Sequence, residues 1–200
     1  MNSQEYVMYG GAFNPPHQDH TGIIATLLAN VAEKVIIIPT GKRDDKDYSS
    51  VSNEVREDMI RLATEDFGKD VIIDTTFLYG DMATTTMNQA RYLEEKYNKE
   101  IPQVFGSDVA PRMMGWDPSG YVAHQLPKVF ISRPGYPIPE GIVSNYDELE
   151  YVSGGFSSTR VREEVRRILG GESERIETLR SMIHTKVCDF ILQNRLFYSV

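Results

Sequence analysis

The sequence predicts an α/β protein with a doubly wound parallel sheet, because short β-rich apolar runs alternate with helical patterns along its 200 residues. The run KVIIIPT at 34–40 is apolar as a central strand buried on both faces should be. The helical segments place apolar residues at steps of three or four, the period of an amphipathic helix. This length suits one domain, so we expect a single Rossmann-like domain over 1–200 with a small helical C-terminal portion at about 158–200.

Each element is predicted from its own pattern. We expect strands at 5–10, 34–40, 71–74, 103–105, 128–132 and 150–153. We expect helices at 21–31, 55–67, 86–97 and 158–169, and two short helical segments that reach Asn194. The segments at 10–20, 40–42, 84–86 and 106–108, together with Arg133, lie at or just after strand ends or lead into a helix. Ligands of open parallel sheets bind at the carboxyl edge, so these segments are the candidate site.

Composition and charge exclude several classes of function. A formal net charge of −8 argues against a nucleic-acid-binding surface, which needs clustered Lys and Arg. The longest apolar run, 35–39, is far too short to cross a bilayer, and the N-terminus lacks the regions of a signal peptide. Cys188 is the sole cysteine, so an intrachain disulfide is impossible. We therefore expect a cytoplasmic protein without nucleic-acid or membrane partners. The sequence leaves homo-oligomerisation open.

The most informative motif is GGAFNPPHQDH at 10–20, between an expected strand and an expected helix. Backbone N–H groups of such a turn, and the positive end of the following helix, attract an anion. His17 and His20 lie three residues apart, so both rings can face one ligand and donate to charge that develops on a phosphoryl oxygen. A zinc site would need a third ligand at fixed spacing, and none is evident. We therefore predict a phosphate site and assign no metal ligand.

A second motif, SSTRVR at 157–162, precedes an apolar helical pattern. Its hydroxyls are good helix N-caps. The first turn carries Arg160 and Arg162, although the positive end of a helix disfavours cations unless an anion lies there. A polyphosphate that accepts hydrogen bonds from hydroxyls and guanidinium would resolve this conflict.

With both motifs in this order, the chain resembles the nucleotidyltransferase superfamily with its paired-histidine (HxGH) and SSTxxR signatures. Within it, the chain is most similar to the nicotinate or nicotinamide mononucleotide adenylyltransferases of NAD biosynthesis. The likeness spans nearly the whole length and includes IIP at 37–39, GSD at 106–108, Trp116 and SRPGY at 132–136. It implies a Rossmann-like fold, transfer of AMP from ATP to a pyridine mononucleotide, and Mg²⁺ bound with ATP.

The resemblance also implies roles for individual residues. His17, His20 and Arg162 would be catalytic. The residues that would contact ATP are Gly10, Gly11, Ala12, Phe13, His17, His20, Gly106, Asp108, Arg133, Ser157, Ser158, Thr159 and Arg162. The residues that would contact the mononucleotide are Lys42, Arg56, Thr84, Thr85, Thr86 and Trp116.

Two positions depart from the family pattern. Asp19 stands where the family usually has glycine between the histidines, and it places a carboxylate beside the expected polyanion. Asp ranks high as a helix N-cap, so Asp19 is a candidate cap for a helix from Thr21. Thr85 lies where the family often has an aromatic residue, so the identity of the base is open.

Three alternative functions remain. One is a sister enzyme with phosphopantetheine or a cytidylyl-transfer substrate as acceptor. Another is a nucleotide-binding protein in which Asp19 has reduced or abolished turnover. The third, a class I aminoacyl-tRNA synthetase, is disfavoured by the short acidic chain and the absence of a KMSKS-like loop.

Overall fold

The structure is a computed structural model that describes residues 4–41 and 50–198. The strands found within these residues are β1 (Gln4–Gly11), β2 (Ala32–Pro39), β3 (Val71–Ile73), β4 (Gln103–Gly106), β5 (Lys128–Ile131) and β6 (Tyr146–Leu149). They form one parallel sheet in the order β3-β2-β1-β4-β5-β6. The doubly wound α/β class predicted from the sequence is confirmed.

The helices that connect and cover the strands are α1 (Gln18–Asn30), α2 (Asn53–Thr64), α3 (Thr76–Tyr79), α4 (Thr86–Tyr97), α5 (Tyr121–His124), α6 (Ser158–Leu169), α7 (Ile176–Met182) and α8 (Thr185–Gln193). Short 3₁₀ segments lie at Glu65–Asp70, Ser107–Gly115 and Ser173–Arg175. No helix in the described part of the chain has the length and apolar character needed to cross a membrane.

The strand order reverses between β1 and β4. The chain moves outward from β1 through β2 and β3, then returns to place β4 on the other side of β1. In the register of these strands Gly11 pairs with Pro39, and Tyr9 pairs with Val104. Such a switch point opens a crevice at the carboxyl ends of the central strands. We therefore expect the crevice of this chain between the turn after β1 and the turn after β4.

Both faces of the sheet are buried. Alternate residues of a strand point to opposite faces. Val7 and Val35 join a buried cluster with Leu27 of α1, and Met8 and Ile36 join another with residues of α3 and α4. Full burial on both faces is the reason that β2 has no alternation of polar and apolar residues.

The C-terminal helices are attached to the sheet through α2. Met59 of α2 packs in one buried cluster with Val161 of α6, Leu179 of α7 and Val187 of α8. Ile60, the next residue of α2, belongs to the cluster on the sheet. Through these two residues α2 joins the core of the C-terminal portion to the core of the sheet.

The sequence placed the last strand incorrectly. Strand β6 is Tyr146–Leu149, four residues before the expected 150–153. As an edge strand, β6 exposes three of its four residues and therefore lacks an apolar signal. Val152, which suggested a strand, is 93% exposed.

We expect that Gly41→Ala destabilises the fold. A Cβ at Gly41 would lie 1.7 Å from the carbonyl oxygen of Phe77, a backbone atom that cannot move aside without shifting α3. Overpacking of this kind costs about 1–3 kcal/mol. Chemical denaturation should show this loss. Gly115→Ala is the control, because a Cβ there meets nothing within 4 Å. Equal stability of the two variants would contradict the packing described here.

Candidate active site

Contacts of Phe13 and Arg56 hold the turn after β1 in place. Phe13 has a positive φ of 48° and is buried, and its ring lies so close to Gly11 that a Cβ there would be 3.0 Å from the ring. The guanidinium of Arg56 donates to the carbonyl oxygens of Ala12 at 2.7 Å and Thr40 at 2.6 Å. A side chain at position 11 would therefore press against the Phe13 ring and have to shift it by a few tenths of an ångström.

The rings of the two histidines lie against each other at the start of α1. His17 is the N-cap, and its backbone N–H donates to Nδ1 of His20 at 3.1 Å. The ring centroids are 3.8 Å apart. Because Nδ1 of His20 accepts a hydrogen bond, the neutral ring carries its proton on Nε2, where it can donate to a ligand. The predicted pairing of the imidazoles is observed.

Both imidazoles are neutral at physiological pH. Burial lowers the pKa of His17 from 6.5 to about 4. Burial, the neighbouring His17 and the positive charge of Arg133 lower the pKa of His20 to about 3, against the opposing effect of Asp19. An anion bound beside the rings would favour their protonated forms and raise both pKa values.

The start of α6 lies against the loop that precedes His17. Ser157 is the N-cap and accepts from the N–H of Arg160, as expected for the first hydroxyl of the motif. The hydroxyl of Ser158 donates to the carbonyl of Pro15 at 2.8 Å. The guanidinium of Arg162 donates to the carbonyl of Asn14 at 2.7 Å. The two motifs, which are separated by more than 130 residues, therefore meet.

Arg162 is a partly buried cation at this junction. Its second guanidinium nitrogen donates to the hydroxyl of Thr159 at 3.2 Å. Burial, together with the nearby Arg166, lowers the pKa of Arg162, and no carboxylate among the described residues forms an ion pair with it. Its neighbours in the motif offer hydroxyl and helix N–H donors. The junction is thus built to receive negative charge.

A second set of groups lies over the end of β4. Asp108 and Arg133 form an ion pair at 3.1 Å, directly above Gly106. A Cβ on Gly106 would lie 2.4 Å from the Asp108 carboxylate and 2.6 Å from Nε of Arg133. The N–H of Arg133 donates to the hydroxyl of Ser107 at 2.9 Å. Glycine at position 106 therefore lets both charged side chains lie close against the backbone, and a larger residue would have to displace them.

The residues expected to meet the mononucleotide are divided among three places. Thr84 accepts from the N–H of Gly41 at the end of β2, and Thr85 caps α4 immediately before Thr86. Trp116 follows the 3₁₀ segment after β4, is 39% exposed, and contacts Phe105 edge-on. Lys42 lies outside the described residues.

Arg56 does not lie on the open face of the crevice. It is 1% exposed and supports the turn through the carbonyls of Ala12 and Thr40. A burial this complete indicates a bracing role in this conformation. Its contact with a phosphate stays a prediction.

Asp19 does not cap a helix from Thr21. Helix α1 begins at Gln18 with His17 as its cap, so Asp19 lies within the first turn. Its carboxylate instead accepts hydrogen bonds from the chain between β6 and α6. The N-cap assignment was wrong because a long-range set of donors competes for the carboxylate.

Sequence reasoning missed the backbone acceptors of Asn14 and Pro15. Both residues are buried, and Oδ1 of Asn14 and Nδ1 of His17 have no hydrogen-bond partner among the described residues. Two unpaired buried polar atoms beside the histidines are unusual, since buried polar atoms are generally hydrogen-bonded. Their position within the histidine motif was the only available signal.

The fold and the site together define an α/β protein of Rossmann-like type, with imidazole, hydroxyl and guanidinium donors near the switch point of its sheet. The sequence model of the cytidylyltransferase-like family matches residues 8–164. The chain therefore belongs to the cytidylyltransferase-like family.

Individual relatives and structures agree with this assignment. The chain is 28% identical over 157 residues to a "Probable nicotinate-nucleotide adenylyltransferase" of Nitratiruptor sp., which covers 78% of this chain and 85% of that protein. It is 23% identical over 196 residues to a protein of the same name from Leptospira borgpetersenii, with 95% of each chain covered. The structure of Plasmodium falciparum nicotinic acid mononucleotide adenylyltransferase complexed with NaAD superposes with a TM-score of 0.79 at 17% identity, over 97% of both chains.

We expect the histidine pair to make stability depend on pH. Between about pH 6.5 and 4 the unfolded chain protonates these imidazoles, whereas the folded protein keeps them neutral, so the free energy of unfolding falls as the pH falls. His20→Asn should reduce this fall, measured by denaturant unfolding at pH 7 and pH 4.5. Gln18→Asn, on the same turn, removes no titratable group and should keep the wild-type slope. An unchanged slope in His20→Asn would contradict the burial of its ring.

Proposed function

We propose that the protein is an adenylyltransferase that moves AMP from ATP to nicotinate mononucleotide and releases pyrophosphate, as a step of NAD biosynthesis. The observation that carries the proposal is the contact of Ser158 and Arg162 with the carbonyls of Pro15 and Asn14, two and three residues before His17. This contact gathers imidazole, hydroxyl and guanidinium donors at one end of the crevice. Family membership and the names of the relatives support the same reaction.

The acid form of the acceptor is favoured over the amide. The relatives with the highest similarity quoted above carry nicotinate, not nicotinamide, in their names. One hydrogen-bonding group separates the two rings, so nicotinamide mononucleotide is the alternative that the assay must include.

The reaction needs no protein nucleophile and no general base. The mononucleotide phosphate is ionised at neutral pH, and one of its oxygens attacks the α-phosphorus of ATP in line. A bond forms between that oxygen and the α-phosphorus while the bond from the α-phosphorus to the bridging oxygen of pyrophosphate breaks. Pyrophosphate leaves with the electron pair. Catalysis then depends on positioning and on stabilising the charge that develops.

His17 and His20 are suited to that stabilisation. Burial keeps both imidazoles neutral in the free protein, so each ring can donate one hydrogen bond without placing a fixed cation in the crevice. As negative charge accumulates on the phosphoryl oxygens, the same rings gain affinity for a proton. Their interaction with the ligand is therefore stronger in the transition state than before reaction.

The remaining ATP contacts follow from the positions of the donors. Arg162, Ser158 and Thr159 would hold the β and γ phosphates at the start of α6, where the helix dipole also favours negative charge. Asp108 offers a carboxylate to the ribose hydroxyls, and its ion pair with Arg133 fixes its orientation. Gly10 to Phe13 would form the surface against which the nucleotide packs.

Mg²⁺ is proposed to enter with ATP as part of the substrate. The groups gathered at the triphosphate end are imidazole, hydroxyl and guanidinium donors, which suit phosphate oxygens and not a cation. Asp19, the carboxylate beside the histidines, already accepts four hydrogen bonds. The triphosphate itself is the natural source of oxygen ligands for the ion.

The acceptor would bind at the other end of the crevice. Thr84, Thr85 and Thr86, at the N-terminus of α4, and the partly exposed aromatic face of Trp116 are proposed to line this end. Lys42 is proposed as a ligand of the mononucleotide phosphate. With a lone, buried cysteine, the protein is proposed to act in the cytoplasm.

A pyrophosphate-release assay with ATP and Mg²⁺ tests the acceptor. We expect product with nicotinate mononucleotide and much less with nicotinamide mononucleotide or phosphopantetheine. Product with phosphopantetheine alone would replace the proposed acceptor and leave the fold unaffected. ATP binding without product from any acceptor would instead identify a nucleotide-binding protein.

His17→Ala should lower kcat by about 10²–10³-fold, the usual effect of removing one preorganised donor to a developing anion. The variant should remain folded at neutral pH, as thermal unfolding would show. His124→Ala, which removes an exposed histidine, is the control and should keep wild-type turnover. Pyrophosphate release by His17→Ala at the wild-type rate would refute the role of the pair.

A further inference from the structure

Asp19 is a buried carboxylate with a complete set of partners. It lies in the first turn of α1, one residue before His20, and is 7% exposed. Oδ1 accepts from the hydroxyl of Tyr151 at 3.1 Å and the N–H of Gly154 at 2.7 Å. Oδ2 accepts from the hydroxyl of Ser153 at 2.6 Å and the N–H of Phe156 at 3.0 Å. Each oxygen therefore binds two donors.

All four donors belong to one segment, 151–156, which joins β6 to α6 and has neither helix nor strand structure. Phe156, the last of these donors, directly precedes the N-cap Ser157. Two separate sets of hydrogen bonds therefore fix the position of the first turn of α6. Asp19 holds the segment that leads into it, and the carbonyls of Asn14 and Pro15 hold Arg162 and Ser158.

Gly22, one turn further along α1, makes room for this arrangement. A Cβ at Gly22 would lie 2.3 Å from the hydroxyl oxygen of Tyr151 and 2.9 Å from its ring. Glycine is a poor helix former, so its presence in the middle of α1 has a packing reason. Asp19 and Gly22 together form the surface on which the 151–156 segment rests.

We propose that Asp19 is a positioning residue that sets the first turn of α6 against the histidine pair, and thereby fixes the donors for the triphosphate of ATP. This inference rests on the proposed function. It also explains how a carboxylate is tolerated beside a polyanion. Four hydrogen bonds spread its charge into the 151–156 segment, so its oxygens face protein donors and not the ligand.

Asparagine is an informative substitution at position 19. It has nearly the same shape as aspartate, yet its amide cannot accept all the hydrogen bonds that the carboxylate accepts. One of its two terminal atoms is an N–H donor. Whichever way the amide is turned, that donor faces a backbone N–H, either that of Gly154 or that of Phe156. Asp19→Asn therefore breaks at least one charge-assisted hydrogen bond and leaves a backbone donor unpaired.

The experiment measures ATP affinity by calorimetry, and kcat with both KM values by pyrophosphate release. Asp19→Asn should weaken ATP binding and raise the KM for ATP by about ten- to a hundredfold, the usual effect of losing one hydrogen bond to a charged group. The KM for nicotinate mononucleotide should change by less than about twofold, because its proposed ligands are not attached to the 151–156 segment. An equal rise of both KM values, or no loss of ATP affinity, would overturn the proposal.

A matched control separates positioning from stability. Asp74 is also a buried carboxylate, 5% exposed, and accepts from the N–H of Thr76, the hydroxyl of Tyr92 and the ammonium of Lys96. It lies at the end of the edge strand β3. Asp74→Asn should lower stability and keep wild-type ATP affinity. A loss of ATP affinity as large as that of Asp19→Asn would show that general destabilisation is the cause.

Two further variants complete the test. Asp19→Asn in an Arg162→Ala background should cause only a small additional loss of ATP affinity, because its effect passes through the α6 donors. Full additivity of the two losses would refute this route.

Gly22→Ala keeps the carboxylate and favours the helix, yet displaces Tyr151, so it should weaken ATP binding while α1 stays intact. Gly22→Ala therefore tests the proposal in place of Asp19→Asn if Asp19→Asn does not fold. Because ATP affinity is measured without acceptor, these results stand even if no acceptor is adenylylated.

Discussion

The contact between the first turn of α6 and the loop before His17 is the constraint on which the site depends. The sheet alone brings together the ends of β1, β4 and β5, on either side of the point where the strand order reverses. The turn after β1 supplies the histidines, and the segments after β4 and β5 supply Asp108 and Arg133, whose charges pair with each other. Arg162 arrives from α6, and its bond to the carbonyl of Asn14 places it beside His17. Because α6 also packs on α2, the same contact connects the site to the core of the C-terminal helices.

The electrostatics of the crevice follow from this arrangement. The whole chain is acidic, with a formal net charge of −8, yet the proposed triphosphate end contains a partly buried arginine and the start of a helix. Two cationic imidazoles there would add repulsion to an uncompensated guanidinium. Burial avoids this, because it keeps His17 and His20 neutral until an anion is bound. A polyanion bound as proposed would raise both pKa values, so positive charge would develop at this end only in its presence.

Much of the fold could be predicted from the sequence where local signals were strong. Helices α4 and α6 have the predicted bounds because Thr85 and Ser157 are hydroxyl caps followed by regular apolar spacing. The edge strand β6 was misplaced because exposure removes its apolar pattern. Helices α3 and α5 and the 3₁₀ segment Ser107–Gly115 were missed, since one or two turns carry too little periodicity. In the site, the motif residues were foreseen, but the partners of Asp19 and Arg56 lie far along the chain, and no local pattern encodes them.

Asp19 shows why a local rule can fail at a functional position. As an acid in the first turn of α1, Asp19 interacts favourably with the positive end of the helix dipole. That interaction alone would explain an acidic residue at this position. The tertiary structure adds a second use, because the same carboxylate receives the segment that leads into α6. It also opposes the effect of burial on both imidazoles by raising their pKa values. One buried charge thus orients the donors from α6 and brings the histidines closer to protonation, and both effects favour the same anion.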